Sequence, residues 1–289
     1  MISSKMDAGF VYVATGSGYL EEARRSAESL RRCNPGFPVC LVTDEPLSGA
    51  GGPFDLVVHC AGARHKPIDK LFAFDCPFER AVFLDSDTRV FGDLSPLFSL
   101  LERFDLALHQ DVNRGWHYEM PDVPVAFTEF NTGVIAFRRS EATAAFFADW
   151  RKNYEDLNRV HGIVNDQPAF RKTLYHSSLR IAPLPSEFHF LGNFPNYLSW
   201  KVRVIHGRGD LDRMARQIDE TIGGRVYVPD VGVVGAFRGR ANWLKTSLLT
   251  SWRMLRLLFR PPGDRSAENP RKWWVEEERH VKALPREKT

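Results

Sequence analysis

Arg80-Ala-Val-Phe-Leu-Asp85-Ser86-Asp87-Thr88 reads as an apolar strand running straight into two carboxylates. Ala81 to Leu84 has no polar face, the pattern of a strand covered on both sides. Residues two apart on an extended backbone point the same way, so Asp85 and Asp87 are expected to converge on one divalent ion. Carboxylate oxygens are hard ligands suited to Mg²⁺ or Mn²⁺, and the end of a sheet leaves coordination positions open for diphosphate oxygens. A second triplet of the same spacing, Asp210-Leu211-Asp212, is an internal control. It precedes a predicted helix, Met214 to Ile222, where acidic residues favour the N-terminus for structural reasons alone.

Working outward, Gly9 to Ala14 reads as a strand, Thr15 to Gly18 as a small-residue loop, and Tyr19 to Cys33 as a helix with Leu20, Ala23, Ala27 and Leu30 on one face. Pro38 to Thr43 and Asp55 to His59 are further strands, and Ile68 to Phe74 is a short helical stretch before the quoted segment. Apolar strands alternating with helices predict an α/β Rossmann-like fold around a central, mostly parallel sheet. Ligands of such sheets bind beyond the carboxyl ends of the strands, here Thr15-Gly16, Asp44 and Asp85. Beyond lie a strand Leu106 to His109, an irregular stretch Asp111 to Glu129, a strand Gly133 to Phe137, and a helix Glu141 to Tyr154 capped by Ser140. A helix Gln167 to Tyr175, an extended segment Leu179 to Ala182 and a strand Val202 to His206 complete a domain placed at residues 1–235. Residues 236–289 are expected to form a basic, amphipathic, helical C-terminal extension.

The 39 Lys and Arg against 36 Asp and Glu leave a net charge of +3, too small to indicate nucleic acid as a partner. Cys33, Cys40, Cys60 and Cys76 lack the paired spacings of zinc or redox motifs and read as reduced, buried thiols. Met1 to Ala8 carries no apolar run of signal-peptide type, so a soluble cytoplasmic protein is expected. In Phe237 to Pro262, Leu244, Leu248, Trp252, Leu255 and Phe259 share a helical face flanked by Lys245, Arg253, Arg256 and Arg260. That pattern suits peripheral contact with the inner face of a membrane, or packing on the domain or on a second subunit of a homodimer.

Five pieces in order, Lys70-Leu71, Phe83-Leu84-Asp85-Ser86-Asp87-Thr88, Asn131-Thr132-Gly133-Val134, Asn165-Asp166-Gln167 and Ile205-His206-Gly207, resemble the nucleotide-diphospho-sugar transferases of GT-A fold. The resemblance spans Phe10 to Gly209. It is closest to the retaining enzymes of glycosyltransferase family eight, which include glycogenin and the bacterial lipopolysaccharide galactosyl- and glucosyltransferases. It implies a metal-dependent hexosyl transfer from a UDP-sugar to a hydroxyl of a saccharide, glycolipid or other acceptor, with retention of configuration. The bound ion stabilises the departing nucleoside diphosphate.

By the same resemblance Asp85 and Asp87 are the metal pair and His206 the third ligand, and an imidazole ligand favours manganese over magnesium. Ala14, Thr15, Gly16 and Tyr19 would meet the base and ribose, with Tyr19 stacking. Lys70 and Ser86 would lie near the donor phosphates. Asn131, Thr132, Gly133, Asp166 and Gln167 would line the sugar pocket, since amides and carboxylates pair with vicinal hydroxyls. Structural roles compete: a packing Tyr19, a surface Lys70, a hydrogen-bonded strand-end His206, a loop cap at Asn131, and an N-cap at Asn165 or Asp166. Two departures stand out. The last motif reads His206-Gly207-Arg208-Gly209-Asp210, where the family carries a lysine at wider spacing, so Arg208 with Gly207 takes the place of the diphosphate cation. The loop after the first strand lacks the acidic residue often found there. An inverting reaction would need a carboxylate base, for which Asp111, Glu129 and Asp166 are candidates.

An apolar strand followed by Asp85-Ser86-Asp87-Thr88 also resembles the first motif of haloacid-dehalogenase phosphatases, with Asp85 as nucleophile and Asp87 as general acid/base. Against that, three strands precede the motif and no later acidic cluster is evident. A non-catalytic nucleotide-sugar-binding protein is the third alternative.

Overall fold

In a computed structural model the described residues are 6–47, 51–111, 118–229, 231–236 and positions 247, 248, 251, 252 and 255. The first half alternates as expected: β1 (Met6–Val13), α1 (Ser17–Cys33), β2 (Val39–Thr43), β3 (Leu56–His59), a 3₁₀ segment (Pro67–Asp75) and β4 (Phe78–Leu84). Then follow β5 (Thr88–Val90), α2 (Pro96–Leu100), β6 (Leu106–Gln110), β7 (Phe130–Arg138), α3 (Glu141–His161), α4 (Gln167–His176) and β8 (Ile181–Pro183). The remainder comprises β9 (Phe190–Leu191), β10 (Asn196–Leu198), β11 (Val204–His206), α5 (Leu211–Asp219), β12 (Arg225–Val228) and β13 (Gly232–Ala236).

Seven strands form the main sheet in the order β3-β2-β1-β4-β7-β6-β8. β1, β2, β3 and β4 run parallel, and β7 is antiparallel to both its neighbours. Both faces are covered, which is why these strands carry no polar stripe. Phe10, Tyr12, Leu41, Val82 and Leu84 pack with Ala23, Ala27 and Leu30 of α1. Val11, Val42, Phe83, Ile135 and Phe137 pack with Phe146, Phe147 and Trp150 of α3 and Phe170 of α4. The sequence reading missed the direction of β7, because a buried strand looks alike in either sense. The reversal matters, since it carries the start of β7 to the carboxyl end of β4.

Two small three-stranded sheets, β5-β11-β9 and β10-β12-β13, were not expected. Their strands are too short to show a period. α3 extends beyond the expected Tyr154 to His161 and stops at Gly162, whose φ of 70° lies in the left-handed region that glycine adopts without strain. α5 begins at Leu211 rather than Met214, and Asp210 caps it by accepting from the Arg213 N–H at 2.9 Å. That triplet is therefore helix-capping chemistry. All four cysteines are free. Burial pushes the Cys40 thiol up to about 12 and Cys60 to about 11, so neither is a ready nucleophile. Of the expected helix 237–262 only five positions are described, among them the exposed Leu248, Trp252 and Leu255; the rest lies outside the described residues. Among the described residues no helix is long and apolar enough to cross a membrane.

Candidate functional site

Asp85 and Asp87 converge, but not by the extended-strand alternation expected. β4 stops at Leu84, and Asp85 to Thr88 form a turn closed by the Thr88 N–H and Oγ1 on the Asp85 carbonyl, at 3.1 and 2.7 Å. The turn brings both carboxylates to one side and hands the chain to β5, which lies in a different sheet. β11 pairs antiparallel with β5 so that His206 sits opposite Thr88, and the Gly207 N–H bonds the Asp87 carbonyl at 3.0 Å. A residue more than a hundred positions away is thereby set beside the turn. The His206 Nε2 is 3.2 Å from Asp87 Oδ1 and 3.8 Å from Asp85 Oδ2. One donor atom from each of the three residues lies within 4.8 Å of the others.

Two oxygens and one imidazole nitrogen at these separations fit a small divalent cation. Donors at the ~2.1 Å bond length of an octahedral ion sit roughly 3 Å apart when adjacent. β7 carries Gly133 against the Cε1 and Nδ1 atoms of the His206 ring. A Cβ there would meet the ring's Nδ1 at 2.5 Å, so only glycine admits the histidine.

Two cations flank the carboxylates. Lys70 Nζ donates to Asp85 Oδ2 at 3.3 Å and Thr132 Oγ1 at 3.0 Å, and lies 3.5 Å from Asp166 Oδ1. It is only 11% exposed, so it is not a surface lysine. The Arg208 guanidinium pairs with Glu22 at 2.9 and 3.1 Å and reaches Asp87 Oδ2 at 3.4 Å. Ser86 Oγ donates to the same Glu22 carboxylate at 3.3 Å.

The charges set each other. Burial pushes the Asp85 carboxyl up, against the pull of Lys70 and His206. Burial acts the same way on Asp87, but the His206 hydrogen bond and the His206 and Arg208 charges outweigh it, holding the group well below the usual carboxylate range. Burial disfavours the His206 imidazolium, yet the two carboxylates more than offset it and raise its pKa. Lys70 is likewise raised by Asp166 and Asp85 against its burial.

On the far wall, Asp166 is 2% exposed and accepts from Thr132 Oγ1 at 2.8 Å, while its carbonyl takes the Trp150 indole N–H at 3.2 Å. The capping role falls to Asn165, whose Oδ1 accepts from the Gln167 N–H at 2.8 Å. That leaves the Asp166 side chain facing Lys70. Asn131 is held between Asp111, to which it donates at 3.0 Å, and the Gly133 N–H, from which it accepts at 2.9 Å. Gln167 donates to the same Asp111 oxygen at 2.6 Å and to the Phe130 carbonyl at 3.3 Å.

The end of β1 borders the cleft. Ala14 is fully buried on the α1 side of the sheet, whereas Val13 and Thr15 line the cleft, because side chains alternate along a strand. Thr15 Oγ1 donates to Asp69 and the Gly16 N–H to Asp44, each at 2.9 Å. The carboxylates absent from this loop thus arrive from neighbouring elements. Tyr19, 47% exposed, stands at the rim rather than packing α1. The cleft of about 260 Å³ joins Thr15, Tyr19, Lys70, Asp85, Ser86, Asp87, Asn131, Thr132, Asp166, Gln167, His206 and Arg208. Gly207 lines an adjoining cleft behind Asp87 and Arg208. Missing from the sequence reading were Val13, Lys66, Pro67, Asp69 and Glu22, which carry no motif and reach the site only through folding.

The family model described as nucleotide-diphospho-sugar transferase matches residues 62–209, just over half of the chain. No curated protein matches the sequence. Among solved structures, the apo-form glycosyltransferase GlyE of Streptococcus pneumoniae TIGR4 superposes with a TM-score of 0.50 at 14% identity, covering 87% of this chain and 64% of that one. Galactosyltransferase LgtC in complex with donor and acceptor sugar analogs gives 0.49 at 15% identity, covering 86% and 96%. Mouse xyloside xylosyltransferase 1 gives 0.47 at 14%, covering 70% and 98%. At 14% identity the likeness to GlyE is one of fold alone. The matched region contains the Asp85–Thr88 turn, so the phosphatase reading of that turn is not favoured.

Proposed function

The chain belongs to the nucleotide-diphospho-sugar transferase family, with a GT-A fold resembling family eight, and from that premise we propose that it is a metal-dependent, retaining transferase acting on a UDP-sugar. Asp85, Asp87 and His206 hold Mn²⁺ or Mg²⁺, and the acceptor is a hydroxyl of a saccharide or glycolipid. The observation that carries this reading is the meeting of two carboxylates and one imidazole at the mouth of a cleft flanked by Lys70 and Arg208. When bound, the ion supplies charge stabilisation to the departing diphosphate. Lys70 and Arg208 neutralise the diphosphate oxygens further, Lys70 as a point charge and Arg208 through its planar fork. Asn131, Asp166 and Gln167 hold the sugar hydroxyls, and Tyr19 and Thr15 the base and ribose. Residues 1–235 are the transferase domain in this reading. The basic, Trp- and Leu-containing extension after it would keep the enzyme at a membrane surface near a lipid-linked acceptor.

Thermal-shift titration of UDP with and without Mn²⁺ tests the site. Asp85→Ala and Asp87→Ala should each abolish the metal-dependent shift, and Asp212→Ala should leave it unchanged; equal loss in all three would remove the assignment. Proton NMR of the product then reads the stereochemistry, and an inverted anomer would overturn retention.

A further inference from the structure

His206 can offer a cation its Nε2 lone pair only if the ring's proton sits on Nδ1, and that proton needs an acceptor. The described residues supply one. His189 Nε2 lies 2.9 Å from His206 Nδ1, with the ring planes 19° apart and the centroids 5.1 Å apart. Rings so nearly coplanar, with two nitrogens at hydrogen-bonding distance, meet edge to edge, the geometry in which an N–H points along its partner's lone pair. The topology makes this contact. β9 runs parallel to β11 with Leu191 opposite His206, so His189, two residues before Leu191, falls on the same face beside it.

The identity of His189 is otherwise hard to account for. It is fully buried, and its Nδ1 has no hydrogen-bond partner among the described residues. The neighbouring ring is His109, at a centroid distance of 5.6 Å, whose Nε2 is 3.3 Å from Ser186 Oγ. Leucine or phenylalanine would fill the position without stranding a buried nitrogen. The one thing an imidazole adds here is the bond to His206.

We propose that His189 is the positioning residue of the metal site, accepting the Nδ1 proton of His206 and holding the His206 Nε2 toward the Asp85 and Asp87 carboxylates. With the Gly133 backbone against one side of the ring and His189 on its Nδ1, His206 is fixed before any cation arrives. This rests on the metal reading above and adds to it a residue that the motif order does not mark.

The test is Mn²⁺ affinity in the full chain, read by electron paramagnetic resonance of the free ion, for wild type, His189→Phe, His189→Gln and His206→Ala. His189→Phe keeps the ring volume without an acceptor and should weaken Mn²⁺ binding roughly 10- to 100-fold. His189→Gln, whose amide oxygen reaches the Nε2 position, should recover most of that loss, while the metal-free thermal midpoint of the Phe variant stays at or above that of wild type. Unchanged affinity in His189→Phe, or no recovery with Gln, overturns the proposal. Wild type that binds no Mn²⁺ defeats the metal reading itself, and the proposal with it. Should the Phe variant not fold, ¹⁵N-histidine NMR of the wild type with Mg²⁺ decides: His206 protonated at Nδ1 supports the proposal, and a bare Nδ1 overturns it.

Discussion

At the scale of single residues, the site depends on residues that act by making room for, or holding, their neighbours. Gly133 is one. Gly133→Ala would drive a methyl group into the His206 ring, so Mn²⁺-dependent stabilisation should be lost while far-UV circular dichroism stays that of wild type. Asp111 is another. It takes N–H groups from both Asn131 and Gln167, so the Gln167 carbonyl oxygen is what its amide presents as an acceptor. Asp111→Ala should weaken the nucleotide-sugar about tenfold by calorimetry, the scale of one charged hydrogen bond, and leave the nucleoside diphosphate with Mn²⁺ unaffected. Asp85, Asp87 and the Gly133 segment were legible because they stand in short runs tied to strand ends. His189, Glu22 and Asp69 were not, because a lone histidine or acid in sequence carries no sign of its neighbours.

Among the elements, the antiparallel β7 does the most to assemble the site. Its start lies beside Asp85, whose N–H bonds the Gly133 carbonyl at 2.9 Å, and its end enters α3 about 23 Å from that bond at strand rise. There Ser140 and Thr143 form a reciprocal capping box. Ser140→Ala should cost about 1 kcal/mol in urea unfolding. Because the cap lies at the opposite end of the strand, nucleotide affinity should not change; a parallel loss of affinity would show that α3 controls the cleft through its packing. The cap was readable from Ser140 before an apolar-periodic run, whereas the direction of β7 was not, since its apolar residues suit a buried strand in either sense.

Over the whole molecule, the segment from 118 to 130 that leads into β7 is held by one buried cation. Arg171, fully buried on α4, donates to the carbonyls of Tyr118, Pro124 and Phe127 at 2.8 to 3.0 Å and lies 3.6 Å from Glu129 Oε2. Burial already pushes the Glu129 carboxyl up to about 8 despite Arg171, so what the guanidinium's removal strands is chiefly the three carbonyls it bonds, at about 1–3 kcal/mol for each buried group left unsatisfied. Arg171→Leu should therefore lower unfolding stability by roughly 3–5 kcal/mol and open the segment 118–130 to proteolysis. Resistance equal to wild type would show that the backbone holds this segment without the guanidinium.

The sequence by itself determined the alternation of buried strands and helices, the Rossmann-like half, and the carboxylate pair at a strand end, because hydrophobic period and the i, i+2 spacing are local properties. Even so, the pair converges through a turn between two sheets rather than along one extended strand. The resemblance already set His206 beside that pair, but only the tertiary structure decided that it arrives by β11 lying against β5, and that Lys70 stands between Asp85 and Asp166. Strands as short as three residues have no readable period, and the partners of a charge are chosen by packing among segments far apart in the chain.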